Sequence, residues 1–63
     1  MDVINFEIKG DTLIIRFRVK PLEYEMLREF FEKHDLEKTV EIDDDEIRVS
    51  TWELELIFKR RVI

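Results

Sequence analysis

The chain holds a single glycine, Gly10, followed by Asp11 and set between two segments whose residues alternate apolar with polar. From Asp2 to Lys9 the apolar Ile4, Phe6 and Ile8 interleave with Asn5, Glu7 and Lys9. From Thr12 to Lys20 the set Leu13, Ile15, Phe17 and Val19 interleaves with Ile14, Arg16 and Arg18. A period of two puts each set on one face of a β-strand. Glycine at the first central position suits a two-residue type II′ turn. That turn sets Ile8 opposite Leu13, Phe6 opposite Ile15 and Ile4 opposite Phe17. A slip of one residue would oppose apolar to charged positions throughout, so turn and alternation specify the same register.

Pro21 fits the first position of a helix, where its missing N–H costs nothing. Leu22, Tyr24, Met26, Leu27, Phe30 and Phe31 then recur at three- and four-residue spacing through His34, which predicts an amphipathic helix with a wide apolar stripe. Glu23 and Glu25 fall in the first turn, where the helix dipole favours them, and Glu29 precedes Lys33 by four residues in the favourable order. No glycine closes the helix, so the stop is expected at His34-Asp35 or where Leu36 folds back.

A second hairpin follows. Val40 and Ile42 alternate with Thr39, Glu41 and Asp43, and after Asp44-Asp45 the pattern resumes with Ile47 and Val49. A two-residue loop there sets Ile42 against Ile47, Val40 against Val49, and Glu41 against Arg48. Trp52, Leu54, Leu56 and Phe58 continue as a strand but are even-numbered, whereas Ile47 and Val49 are odd-numbered, so the phase changes at Ser50-Thr51. A β-bulge there restores the phase and places the later residues beneath the helix. Without a bulge they form an apolar stripe on the open face, near Ile14 and Val3, that calls for a second subunit.

Hairpin, helix, hairpin predicts one α+β domain over residues 1–63, a two-layer β-β-α-β-β fold with a four-stranded, mostly antiparallel sheet and one helix on one face. A final strand parallel to the first gives the order 2-1-4-3. In element order and spacing alone this resembles the β-grasp layout.

Composition narrows function more by exclusion than by motif. The 63 residues are 44% hydrophobic and 43% charged, with one Gly and one Pro, which describes a compact chain with lean loops and little apolar material left for a ligand cavity. With no cysteine and His34 as the only histidine, neither a disulfide framework nor a zinc site is expected. The acidic run Asp43-Asp44-Asp45-Glu46 lacks the alternating ligands and the glycine of a calcium loop and reads as a solvated turn. Ser50, Thr12, Thr39 and Thr51 have no base at a recognisable spacing, and Gly10 belongs to a hairpin and not to a phosphate cradle. We therefore expect no catalytic residue, no cofactor and no enzyme activity.

A net charge of −5 disfavours nucleic acid and anionic lipid as partners, and the basic Lys59, Arg60 and Arg61 read as a solubilising end. The longest apolar runs, Leu13 to Ile15 and Leu56 to Phe58, are three residues, and no signal-like segment follows Met1, so a soluble chain is expected, cytoplasmic if natural. Two function classes fit. One is a small stable scaffold without a partner, of the kind de novo design produces, since turn, register and propensity agree. The other is a natural interaction module acting by homodimerisation or by pairing a partner strand onto a sheet edge. The absence of Ala, Gln and Cys beside many Glu, Lys and Arg also suits a thermostable natural protein. The scaffold is narrowly preferred, and if a partner exists, its expected contacts are Ile14, Trp52, Leu54, Leu56 and Phe58.

Overall fold

The computed structural model describes residues 1–34 and 39–61. Along the chain run β1 (Asp2–Lys9), β2 (Thr12–Val19), α1 (Pro21–Lys33), β3 (Thr39–Ile42), β4 (Glu46–Thr51) and β5 (Leu54–Arg60). The sheet has five strands in the order β1-β2-β5-β4-β3, and α1 packs on one of its faces. The α+β class and the helix-on-sheet layering are as expected. The four-stranded sheet and the 2-1-4-3 order are not: a fifth strand is present, and β5 lies parallel to β2 instead of β1. The layout therefore departs from the β-grasp order.

The physical reason for the order lies in the two three-residue apolar runs. Ile14 and Ile57 interrupt the alternation on the polar face of their strands, and both are buried there, at 6% and 4% exposure. A strand with apolar residues on both faces belongs in the middle of a sheet, with neighbours on either side to cover it. β2 and β5 are those strands. β1 alternates cleanly on its outer part and takes an edge, and β3, only four residues long, takes the other.

The phase change at Ser50-Thr51 is resolved by a hairpin and not by a bulge. Thr51 pairs with Leu54, Val49 with Leu56 and Ile47 with Phe58, so Trp52 and Glu53 form a tight turn and the chain doubles back. Reversing direction through two residues changes the parity of the inward set as a bulge would. Glu53 takes φ 66°, a left-handed conformation usually left to glycine. A bulge does occur, but in β1: the register shifts between Val3 and Asn5, so that Val3 and not Ile4 opposes Phe17. The remaining pairs of that hairpin, Phe6 with Ile15 and Ile8 with Leu13, are the expected ones, as are Ile42 with Ile47, Val40 with Val49 and Glu41 with Arg48.

At the start of α1 the Glu23 carboxylate accepts the Lys20 backbone N–H at 2.9 Å, satisfying a group that the helix leaves unpaired. At its end the His34 N–H donates to the Phe30 carbonyl at 3.1 Å, and the rest of the expected stop, Asp35 and Leu36, lies outside the described residues. The core joins Val19, Tyr24, Ile47, Val49 and Phe58, with Leu27, Phe31, Phe17, Val40, Ile42 and Leu56 packed around them. Phe17 and Phe58 stack at 5.0 Å between ring centroids across the parallel pair. The Tyr24 hydroxyl reaches over the core to donate to the carbonyl of Asp43, with that of Glu46 at 3.5 Å. Arg60 adds an ion pair to Asp45 at 2.7 Å. Tyr24 and Arg60 thus hold an acidic turn that contains no glycine.

Candidate interaction surface

The helix covers only part of the sheet. Its inward residues Tyr24, Leu27 and Phe31 meet side chains from β2, β3, β4 and β5, where Val19, Ile47, Val49 and Phe58 are all buried. Every residue of β1 is exposed, down to 40% at Ile4 and 49% at Val3. Phe6 is 67% exposed and Ile8 77% exposed. Register places both on the helix side of the sheet, since Phe6 opposes Ile15 and Ile8 opposes Leu13, which share a face with the buried Phe17. An α-helix with its side chains is about 10 Å across and strands lie about 4.8 Å apart, so one helix sits directly over about two strands. Here the edge strand β1 is left exposed, whereas on β2 Leu13, Ile15 and Phe17 are partly buried and Val19 is buried.

The helix itself is apolar over more of its surface than one sheet requires. At 3.6 residues per turn, the arc from Leu22 through Met26, Phe30, Leu27 and Phe31 to Tyr24 covers about 200°, against roughly 100° for a helix packed on one layer. Leu22, Met26 and Phe30 are 74%, 64% and 49% exposed. Met1 joins this flank, and a groove of about 340 Å³ is lined by Met1, Glu23, Met26, Leu27 and Phe30. The opposite flank is charged, with Arg28 and Glu32 paired at 2.9 Å.

Glu23 ties the beginning of β1 to the helix. Its carboxylate accepts from the Lys20 backbone N–H and, at 3.1 Å, from the N-terminal ammonium. The backbone bond chiefly, and the ammonium bond after it, hold the Glu23 carboxyl below the ordinary carboxylate range. Burial pushes the Tyr24 phenol above its usual 10.0.

The other face of the sheet is closed by charge. Arg16 bonds Glu7 at 3.0 Å and Asn5 at 3.2 Å, and Arg48 lies 3.2 Å from Glu55 and 3.4 Å from Glu46. Ile14 and Ile57 lie on this same face and are buried, and long charged side chains of this kind can cover apolar surface with their alkyl stems.

The five contacts expected from the sequence do not form one surface. Phe58 is in the core, Leu56 packs against it and Leu54 is half-buried, all on the helix side. Ile14 is buried on the opposite face, and Trp52 stands 89% exposed on the β4–β5 turn. Besides Met1, Val3, Ile4 and Trp52, the large apolar side chains left open are Phe6, Ile8, Leu22, Met26 and Phe30. Sequence reasoning assigned these to the core because alternation and helical spacing show which face a residue is on, not how far a cover extends. The available signal was the width of the helical arc.

Elsewhere, Ile42 to Glu46 and Lys59 line an acidic recess, and Ile4, Arg18, Lys59, Arg60 and Arg61 a basic one. Among the described residues no group of three or more His, Cys, Asp or Glu is placed to hold a metal ion, and no helix is long and apolar enough to cross a membrane. No protein-family model, curated protein sequence or solved structure matches this chain.

Proposed function

We propose that this chain is a protein-interaction module, without catalytic activity of its own, whose contact surface is the exposed helix-side face of β1 together with the outer stripe of α1. The observation that supports it is the exposure of Phe6 and Ile8 on β1, 67% and 77%, together with that of Leu22 and Met26 on α1, 74% and 64%. A scaffold complete in itself has no use for large apolar side chains gathered on one side, whereas a protein-binding surface is built from them. β1 adds a free strand edge at the margin of the same surface.

Replacing Phe6 with the photoreactive p-benzoylphenylalanine tests this reading. Irradiation is expected to yield covalent adducts with polypeptide, either a second copy or another protein, while the same group at Asp44 on the acidic turn yields few. Equal yields at the two positions, or none at position 6, would contradict it.

A further inference from the structure

We infer that the partner on this surface is a second copy of the chain, each copy laying the outer stripe of its helix on the exposed helix-side face of the other's β1. The inference rests on the contact-surface reading above and assigns its occupant.

Three observations lead there. The first is position: the exposed strip is the edge strand β1, at the margin of the sheet, so a layer added over it does not compete with α1 for the core it already covers. The second is that the chain carries both halves of such a contact. The strip presents Val3, Phe6 and Ile8 on its helix side, and α1 presents Leu22, Met26 and Phe30 away from its own core, so a two-fold arrangement satisfies both surfaces of both copies at once. The third is area. At the exposures of these six residues, from 49% to 77%, the apolar side-chain surface left open is on the order of 700 Å² per copy. A monomer's largest patch is typically about 300–600 Å², and a stable complex buries about 800 Å² per partner. The charged flank of the helix, with its Arg28–Glu32 pair, remains in solvent.

Pairing β1 with β1 of another copy is the simpler two-fold contact, but it does less. Side chains stand perpendicular to a sheet, so edge pairing would satisfy the free backbone groups and leave the Phe6 ring and Ile8 uncovered. A layer placed over the strip is required.

The test is charge complementation in the purified protein, read as mass by light scattering over a hundredfold dilution. The wild-type chain is expected at twice 7.8 kDa. Phe6→Lys and Met26→Glu, each at an exposed site, are expected to be folded by circular dichroism and monomeric. Mixed in equal amounts, they are expected to regain the dimer mass, because the altered helix of one then meets the altered strip of the other. Ile8→Lys and Leu22→Glu serve the same purpose if either first variant does not fold. A wild-type chain that stays monomeric would overturn the assignment of a second copy, and adducts from position 6 to other proteins would then show the contact-surface reading still standing. Variants that remain dimeric, or a mixture that remains monomeric, would overturn the helix-on-strip arrangement.

Discussion

The two hairpins of this protein follow the same alternating rule and meet opposite fates. In β3–β4 the inward residues Ile47 and Val49 are 0% and 3% exposed, whereas in β1–β2 the inward Phe6 and Ile8 are 67% and 77% exposed. Local pattern does not account for the difference, since β3–β4 forms in the expected register and β1–β2 does so for Phe6 with Ile15 and Ile8 with Leu13. Position relative to one helix does. A hydrophobic face contributes to stability only where a second layer removes it from water, at about 25 cal/mol per Å². The β3–β4 hairpin has that layer, and so does β2, whose Val19 is buried, whereas β1 is left exposed.

The sharpest test of this contrast is to truncate one isoleucine in each hairpin, on the monomeric Met26→Glu background. Ile47→Ala is expected to cost about 2–5 kcal/mol in denaturant unfolding, as a buried side chain leaves a cavity. Ile8→Ala should cost no more than about 0.5 kcal/mol, as at an ordinary surface site. Comparable losses would mean that the chain covers β1 by itself.

Tyr24→Phe bears on how the covered half is closed. It removes the hydroxyl that donates to the Asp43 carbonyl and should cost about 1–3 kcal/mol. It also changes the alkaline limb. Burial raises the Tyr24 phenol above 10.0, so the unfolded chain releases this proton first and wild-type stability declines as pH rises past 10.0. The variant should lack that part of the decline.

A smaller effect is expected at the turn that creates the central strand. Glu53 sits at φ 66°, and Glu53→Gly should raise stability by about 0.5–1 kcal/mol as the strain of a left-handed side chain outweighs the added freedom of glycine. A loss of stability would mean that the Glu53 side chain supports the turn.

The smallest effect concerns the margin where β1 meets the helix. The Glu23 carboxyl is held below its ordinary 4.5, so the tie it makes to Lys20 and the N-terminus is fully present above that value and is lost as pH falls through the lowered one. Glu23→Gln should flatten this part of the acid limb of stability and leave the rest of the pH profile unchanged. An unaltered acid limb would mean that the tie adds nothing.

Much of the local fold was legible in the residues. Gly10-Asp11 and the alternation around it specified the first hairpin, and Glu41 opposite Arg48 followed from the spacing around Asp44-Asp45. The fifth strand was hidden because Trp52-Glu53 has neither glycine nor proline, and a parity change at Ser50-Thr51 is what a bulge and a tight turn equally produce. The strand order was present in Ile14 and Ile57, whose extra apolar side chains mark β2 and β5 as central. The candidate surface was the least legible, because whether Phe6 is core or surface depends on the number of strands beneath a single helix. A five-stranded sheet under one helix leaves Phe6 and Ile8, whose alternation reads as core, exposed on the edge strand.

That account turns on what lies over Phe6. The direct measurement is an isotope-filtered NOE experiment on a mixture of labelled and unlabelled chains. Contacts from Leu22 and Met26 of one copy to Phe6 and Ile8 of the other are predicted. Their absence, or contacts confined to β1 amides on both copies, would contradict the helix-on-strip dimer.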